Sequence, residues 1–239
     1  MLRNTTAGLT SVIIPALCEG SAINAVVTNV REAAGGLPVE IIVADGDPDG
    51  STLAAIADPE VVGIVSSPGR GAQMNAGAAA ASGDVLLFLH ADTRLPGNGL
   101  RHVRKAMHEY EAGAFRVCYD TRSRWVRFLG EMSNLRARME RIPYGDQTHF
   151  FRAETFHSLG GYPEIPIMED VEMFQKLAAS GVRPVLLRER VTTSARRYEA
   201  EGPFVRPFRN IGLRLRHRFG ADPRSLAGSY RPQCHLERK

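Results

Sequence analysis

Two side chains that can bind a metal ion, His90 and Asp92, directly follow an apolar run at residues 85–89. An uninterrupted apolar run is typical of a strand that is covered on both faces, as in a parallel sheet. Ligands bind to such sheets beyond the carboxyl ends of the strands, and side chains at i and i+2 leave a strand on the same side. The pair therefore predicts a site for a metal ion and a phosphate, with a solvated turn as the alternative.

A second carboxylate, Asp45, follows apolar residues 41–44 and opens a glycine-rich turn at 45–51. A carboxylate there could accept a hydrogen bond from the imide N–H of a uracil or guanine ring. Asp and Gly also serve turn geometry, and that alternative stays open for this segment. Farther along, Arg70 opens a segment with several glycines, which could place a helix N-terminus and a guanidinium against a phosphate.

A third candidate is the acidic pair Glu169 and Asp170, which follows a loop that contains Gly160, Gly161 and two prolines. The apolar residues after the pair have helical spacing, so both carboxylates are expected at a helix N-terminus, where the helix dipole stabilises negative charge. They could simply cap this helix, or one of them could act as a base. The polar turn 144–147 is a further candidate because it lies between apolar segments.

If Asp45, Asp92 and Asp170 share one cleft, each pair at about 6 Å and an effective dielectric near 20 repels by roughly 3 kcal/mol. Such a cleft requires a cation or a basic side chain. A divalent metal between Asp92 and a diphosphate would meet this requirement and leave Asp170 free as a base. The arginines that could assist are Arg70, Arg196 and Arg197.

The elements that must position these side chains alternate between strand and helix. The pattern predicts strands at 10–16, 39–44, 61–65 and 84–89, and helices at 23–34, 52–57 and 72–81. This alternation predicts a doubly wound α/β domain with a parallel sheet. Beyond Asp92 it loosens, with helices expected at 99–111, 124–139 and 169–180 and strands at 114–119, 147–152 and 182–187.

The charge of the chain is mildly basic, with 30 Lys and Arg against 26 Asp and Glu, and is concentrated toward the C-terminus. Residues 183–219 contain ten arginines and three glutamates. This balance is consistent with small anionic ligands and does not indicate nucleic acid binding.

Two segments place apolar side chains at helical spacing with arginines between them. The first contains Trp125, Phe128, Met132 and Leu135, and the second contains Phe204, Phe208, Ile211 and Leu215. Such rows are usually core packing, which is the favoured prediction here. A basic amphipathic face on an anionic membrane is the alternative.

The three cysteines are odd in number and far apart, which argues against a disulfide framework and favours a reducing compartment. No segment reaches the roughly 18 apolar residues that a membrane helix requires. A cytoplasmic location is therefore expected, with peripheral contact at the inner face of the membrane as an option.

The order of these motifs resembles that of family 2 glycosyltransferases of the GT-A fold, over roughly residues 9–190. The matching segments are 11–15 with Glu19, 45–46, 71–77, 89–92, 160–162 and 169–170. The His-Ala-Asp form at 90–92, together with 144–147 and 193–198, is similar to a subgroup of transferases associated with radical-SAM and selenoprotein-type domains.

This resemblance implies a Rossmann-like, mostly parallel GT-A sheet and an inverting transfer from a nucleotide-diphosphate sugar to an acceptor hydroxyl, assisted by Mn²⁺ or Mg²⁺. It implies one domain over 1–239, with a nucleotide-sugar half at about 9–95, an acceptor and catalytic half at about 96–200 and a basic helical extension at about 201–239. The acceptor could be lipid-linked.

The resemblance also implies roles for single residues. Asp45 would bind the base, Asp92 the metal, and Asp170, beside Glu169, would be the general base. His90 replaces the first Asp of the metal-binding Asp-x-Asp element, which favours ions that accept imidazole. The remaining nucleotide contacts would be Pro15, Glu19, Arg70, Arg196 and Arg197, and the acceptor contacts Tyr144, Asp146 and Gln147.

Two departures from the family pattern and two rival functions complete the prediction. Cys18 stands where the family usually has Asn, and Asp47-Pro48 interrupts the usual Gly-Ser run. A sugar-phosphate nucleotidyltransferase would normally have a basic, glycine-rich loop after the first strand, whereas residues 16–20 are acidic with one glycine. The other rival is a non-catalytic protein whose basic C-terminal third binds an anionic surface.

Overall fold

The computed structural model describes residues 6–202 and 205–227, which form one eight-stranded sheet with helices on both faces. The strands are β1 (Thr6–Ala16), β2 (Val39–Asp45), β3 (Val62–Val65), β4 (Gly83–Phe88), β5 (Thr93–Arg94), β6 (Ala112–Asp120), β7 (His149–Arg152) and β8 (Val185–Ser194). The helices are α1 (Ile23–Ala34), α2 (Arg70–Ala80), α3 (Gly99–Ala106), α4 (Arg124–Glu140), α5 (Ala153–Ser158), α6 (Glu169–Ala179), α7 (Arg196–Glu201), α8 (Val205–Arg218) and α9 (Pro223–Ala227). Short 3-10 turns lie at Leu53–Ala55 and Gly145–Gln147.

The sheet follows the order β3-β2-β1-β4-β7-β6-β8-β5. Strands β1 to β4 run parallel, and Ile13 in β1 pairs with Ile42 in β2 and with Phe88 in β4. Strand β7 is antiparallel to both of its neighbours, and β8 is parallel to β6. The predicted α/β class with a mostly parallel sheet is confirmed.

Alternate residues of β1 face two separate hydrophobic layers. Val12 and Ile14 pack with the apolar residues of α1 and α3, whereas Ile13 packs with those of α2, α5 and α6. All three side chains are fully buried. The helices therefore cover both faces of the sheet, as a doubly wound fold requires.

The glycines of α2 allow this helix to approach its neighbours closely. A Cβ on Gly71 would lie 2.5 Å from the carbonyl oxygen of Pro163, and one on Gly77 would overlap the side chain of Ile13. The glycine pattern at 71–77 is therefore explained by packing. The side chain of Arg70, at the start of the helix, instead contacts Glu169 of α6.

Helix α4 turns its large apolar side chains away from the sheet, whereas an amphipathic helix usually packs them against it. Its inward side carries Val126, Gly130, Asn134 and Ala137, which are small or polar. The side-chain amide of Asn134 bonds to both the N–H and the carbonyl of Val117 in β6, at 2.8 and 3.0 Å. Small inward residues let α4 lie close to β6, and the large apolar residues are left outside.

The prediction that the two apolar rows pack in the core is consequently wrong. The side chains of both rows that the structure describes are between 38% and 73% exposed, and they are Trp125, Phe128, Met132, Leu135, Phe208, Ile211 and Leu215. Residues 203 and 204, and with them Phe204 of the second row, lie outside the described residues. So does the end of the predicted basic extension, residues 228–239.

Two expectations about compartment and membrane can be compared with the structure. Cys118 is a free thiol, but Cys18 is disulfide-bonded, which the spacing of the cysteines did not anticipate. The support that this spacing gave to a reducing compartment is thereby removed. Among the helices within 6–202 and 205–227, none is both long and apolar enough to cross a membrane.

Candidate functional site

The loops that follow β1, β2 and β4 meet at one edge of the sheet, because the carboxyl ends of parallel strands lie together. Glu19 follows β1, Asp45 ends β2, and His90 and Asp92 follow β4. The hydroxyl of Thr52 accepts a hydrogen bond from the Glu19 N–H, and the Thr52 N–H donates to Asp45 Oδ2 at 2.8 Å. The candidate nucleotide residues are thus joined in one network.

Asp45 is fully buried, and its carboxylate binds the backbone of the loop that follows it. It accepts hydrogen bonds from the N–H groups of Asp47, Thr52 and Leu53 at 3.0, 2.8 and 3.3 Å. These bonds hold the loop beside the sheet edge, so Asp45 shapes the wall of the site. Its direct contact with a nucleotide base stays a prediction.

Arg196 connects the loop after β1 with the loop after β4. Its Nη2 lies 2.5 Å from Glu19 Oε1 and 3.5 Å from Asp92 Oδ2. The backbone N–H of Ser194 also donates to the carbonyl of Asp92 at 3.1 Å. The end of β8 thereby brings a guanidinium from the C-terminal third of the chain to the candidate metal residue.

Pro15 and Cys18 belong to the same edge. Pro15 is buried in β1, where it pairs with Ala44 of β2. The pairing of β1 with β4 ends at Ile13, so the N–H that Pro15 lacks is not needed for a hydrogen bond to β4. Cys18 has a φ of 58°, a left-handed conformation that Asn adopts more readily than most side chains. This backbone geometry suits the Asn that the resemblance implies at this position.

His90 lies against the backbone of Gly145 in the turn between α4 and β7. A Cβ on Gly145 would be 3.0 Å from His90 Nε2 and 3.8 Å from Asp170 Oδ2. Burial, followed by the nearby charge of Arg70, lowers the pKa of His90 to about 4. The imidazole is therefore neutral at pH 7 and has a lone pair that can bind a metal ion.

Asp170 stands at the start of α6, where both of its carboxylate oxygens accept backbone bonds. Gly145 N–H donates to Oδ2, and Val171 N–H donates to Oδ1, each at 2.8 Å. The residue before it, Glu169, is 2% exposed and pairs with Arg70 Nη2 at 2.7 Å. Burial nonetheless raises the pKa of Glu169, because the desolvation cost outweighs the attraction of Arg70.

The turn Gly145–Gln147 holds Asp146 in a buried cluster of phenols. Tyr119 donates a hydrogen bond from its hydroxyl to Asp146 Oδ2 at 2.6 Å, and the hydroxyl of Tyr198 lies 3.4 Å from that of Tyr119. Burial raises the pKa of Asp146, and its other carboxylate oxygen is buried and has no hydrogen-bond partner among the residues that the structure describes. Tyr144 stacks under the guanidinium of Arg136 at 3.5 Å.

Gln147 has no exposed surface and is bonded on both sides of its amide. Its Oε1 accepts from the Tyr144 N–H at 3.0 Å, and its Nε2 lies 3.3 Å from Asn134 Oδ1 and 3.4 Å from the Phe115 carbonyl. This geometry gives Gln147 a structural role in the turn, and its contact with an acceptor stays a prediction.

Sequence reasoning did not identify His149, which supports the same turn. Its Nε2 lies 2.9 Å from the Tyr144 carbonyl, and its Nδ1 lies 2.9 Å from the Tyr162 hydroxyl. Burial lowers the pKa of His149 to about 4, so the ring is neutral at pH 7. The signal available in the sequence was a histidine at the start of an otherwise apolar strand.

A groove of about 620 Å³ lies beside the phenol cluster of Tyr119, Tyr198 and Asp146. It contains none of the candidate catalytic residues. It is bounded by the end of β6, the start of α4 and α7, and its lining residues are Asp120, Thr121, Arg122, Ser123, Val126, Arg127, Tyr198 and Glu199. Tyr198 is the residue that this groove shares with the phenol cluster.

Asp92 and His90 are a partial donor set for a metal ion. Within the described part of the chain, no three His, Cys, Asp or Glu side chains cluster so that they could hold a metal ion alone. Hard divalent ions need only one or two protein carboxylates when substrate phosphates supply further ligands. Asp92, whose side chain is 18% exposed, and the neutral His90 fit a site of that kind.

No curated protein sequence matches the chain. Solved structures of other proteins nevertheless support the assignment of the fold. A mannosyltransferase, PcManGT from Pyrobaculum calidifontis, solved with GDP-Man and Mn²⁺, is 18% identical with a TM-score of 0.62, covering 95% of this chain and 68% of its own. TarS 1-349 from S. aureus, solved with UDP-GlcNAc, is 18% identical with a TM-score of 0.59, covering 77% of this chain and 58% of its own.

A third solved structure, glucosyl-3-phosphoglycerate synthase from Mycobacterium tuberculosis with Mn²⁺, UDP and glucosyl-3-phosphoglycerate, is 18% identical with a TM-score of 0.55. It covers 76% of this chain and 70% of its own. This chain therefore spans between 58% and 70% of the length of these structures, and the likeness confirms the predicted GT-A fold.

The family is identified by the sequence itself. Residues 11–161 match the model described as Glycosyl transferase family 2. The match begins in β1 and ends after α5, so it includes the strand ends at Asp45 and at His90 and Asp92. Since it extends over more than half of the sequence, the chain belongs to glycosyl transferase family 2.

Proposed function

We propose that this protein transfers a sugar from a nucleotide-diphosphate sugar to an acceptor hydroxyl, with inversion and with Asp170 as the general base. One observation carries the proposal: His90 Nε2 and Asp170 Oδ2 lie 3.0 and 3.8 Å from the position that a Cβ on Gly145 would occupy. The candidate base and the candidate metal site are therefore adjacent, as a transfer from a metal-bound diphosphate requires. Family membership favours this reaction over the nucleotidyltransferase alternative.

The proposed reaction assigns each proton and bond. Asp170 accepts the proton of the acceptor hydroxyl, and that oxygen forms the new bond to the anomeric carbon from the side opposite the leaving group. The bond from the anomeric carbon to the diphosphate breaks, and the nucleoside diphosphate takes the electron pair. General-base assistance of this kind contributes about 100- to 10,000-fold to the rate.

The negative charge of the departing diphosphate requires positive groups nearby. Arg196 already lies against Asp92, and both Arg70 and Arg197 act electrostatically on His90. We propose that these arginines bind the phosphates, with Pro15, Glu19 and Asp45 around the nucleotide. Mn²⁺ or Mg²⁺ would be held by Asp92 and His90 and would neutralise charge on the diphosphate.

The finer identity of the enzyme is also proposed. The acceptor carries a hydroxyl, approaches over the turn with Tyr144 and Asp146, and could be attached to a lipid. The residues at 90–92, 144–147 and 193–198 support placement in the subgroup associated with radical-SAM and selenoprotein-type domains. Similar structures hold GDP-Man or UDP-GlcNAc, so both nucleotides are candidate donors.

A thermal-shift screen tests this function. UDP, GDP, their sugars, the nucleoside triphosphates and a polyanion are added separately, each with and without Mn²⁺ or Mg²⁺. A ligand at about 100 times its Kd stabilises the folded state by about 2.7 kcal/mol. For a chain of this size that corresponds to a rise in Tm of roughly 5 to 10 °C. Stabilisation by nucleoside triphosphates alone would favour a nucleotidyltransferase, and stabilisation only by polyanions would favour the non-catalytic alternative.

A further inference from the structure

Two exposed apolar rows lie on neighbouring helices. The α4 row consists of Trp125, Phe128, Met132, Leu135 and Met139, and the α8 row consists of Val205, Phe208, Ile211, Leu215 and Phe219. Every one of these side chains is at least 38% exposed, and that of Phe219 is 85% exposed. Single exposed apolar residues are common, but two rows of this length mark an interaction surface.

Helices α4 and α8 approach each other beside the turn Gly145–Gln147, which we call the acceptor turn. Arg214 of α8 forms an ion pair with Glu140 at the end of α4. Arg136, also on α4, contacts the same glutamate and stacks on Tyr144. The chain enters the turn Gly145–Gln147 immediately after α4, so this turn lies where the two helices are linked.

The polar side chains around the rows are basic. The acidic residues of α4 are already paired, Glu131 with Arg190 and Glu140 with arginines on both helices. Helix α8 contains no acidic residue. The arginines on these helices with exposed side chains are Arg124, Arg127, Arg138, Arg216 and Arg218.

We propose that the α4 and α8 rows dock on the surface of an anionic lipid bilayer. Apolar side chains on one face and arginines beside them match the apolar interior and the anionic headgroups of such a surface. A second copy of this chain fits less well, because a symmetric contact between these faces would bring arginines against arginines. The docking does not depend on glycosyl transfer, although it would hold the acceptor turn near lipid-borne hydroxyls.

The single tryptophan of the chain, Trp125, belongs to the α4 row and reports on docking without a label. The full chain is mixed with vesicles of phosphatidylcholine alone or with phosphatidylglycerol added, and no nucleotide sugar is present. We expect co-sedimentation and a blue-shifted Trp125 emission only with phosphatidylglycerol, together with quenching by brominated acyl chains. Raising the salt from about 0.1 M to about 1 M shortens the Debye length from about 10 to about 3 Å and should weaken binding.

Matched variants separate the rows from the rest of the surface. The double variant Phe128→Ser/Phe208→Ser should lower vesicle binding by roughly a hundredfold, since each Phe that enters the bilayer contributes about one factor of ten. The control Val65→Ser removes a side chain that is 55% exposed on β3 and should bind like the unmodified chain. Arg216→Glu/Arg218→Glu should also weaken binding, whereas Arg101→Glu on α3 should not.

Three results would overturn the proposal. They are equal binding to both vesicle types, equal loss in the control variants, and a concentration-dependent dimer that Phe128→Ser/Phe208→Ser dissociates while vesicles are not bound. The last result would assign the rows to a second copy. Each of these results leaves the thermal-shift outcome with nucleotide sugars unaffected, so the two proposals fail independently.

Discussion

Replacement of Asp170 by Asn removes the proposed base while keeping the shape of its side chain. The carboxylate accepts N–H bonds from Gly145 and Val171, each at 2.8 Å. An amide has one oxygen, so Asp170→Asn places an NH₂ group against one of these two donors. One hydrogen bond is lost and one backbone N–H is left without an acceptor.

The structural and catalytic costs of this change differ in size. The lost bond destabilises the folded state by about 1 to 3 kcal/mol, which for a chain of this length lowers Tm by roughly 2 to 12 °C. Loss of the general base lowers kcat by about 100- to 10,000-fold, equivalent to about 2.7 to 5.4 kcal/mol in the barrier. Nucleotide affinity should stay within about threefold, because no bond broken in Asp170→Asn is assigned to the nucleotide.

The assay follows release of nucleoside diphosphate from the donor that the thermal-shift screen identifies, below the Tm of the variant. Glu172→Gln is the matched control, because it makes the same carboxylate-to-amide change in the same helical turn at a side chain that is 31% exposed. This control should keep its activity. A folded Asp170→Asn variant with kcat within threefold of the unmodified chain would refute the role of Asp170.

Three further predictions concern other residues of the candidate site. Asp92→Ala should abolish the part of nucleotide affinity that depends on Mn²⁺, and calorimetry that shows the same gain in affinity with the metal in variant and parent would contradict its role. Gly145→Ala places a Cβ 3.0 Å from His90 Nε2, so activity should fall while overpacking lowers stability by about 1 to 3 kcal/mol, measured by urea unfolding. Arg70→Met leaves the buried Glu169 without its charge partner and should cost up to about 3 kcal/mol, less than a fully buried pair because Arg70 is 31% exposed. Because burial raises the pKa of Glu169, this variant should lose stability as the pH rises above the unfolded pKa of about 4.3, and unfolding that is independent of pH would contradict the assignment.

The first half of the fold could be predicted because its local patterns agree with its tertiary environment. The run at residues 85–89 is covered on both faces, so it is apolar throughout and its end marks the site. In β8 the pattern and the structure diverge. The strand was expected to stop at residue 187, yet it continues to Ser194 because residues 190–194 pair with β6. The polar side chains of Glu189 and Arg190 contact His102 and Glu131 beside the sheet.

The sequence did not predict which side chains of a helix or turn point into the core and which point to solvent. Helical spacing predicted the apolar row of α4, but spacing alone does not tell which face of a helix meets the sheet. That choice follows from Gly130 and Asn134, whose fit to β6 is visible only in three dimensions. Likewise, the residue types in the turn 144–147 indicated chemistry, whereas the burial of Gln147 shows that part of this polarity supports the turn.

The amide of Asn134 occupies both backbone groups of Val117, as a neighbouring strand would. Besides these two polar bonds, helix α4 contributes two buried apolar side chains, Val126 and Ala137, to its packing. Free energy of local opening follows buried apolar contact, so the amides of α4 should exchange with solvent deuterium well before those of β1. We therefore expect the helix beside the turn Gly145–Gln147 to separate from the sheet while β1 and its neighbouring strands stay folded.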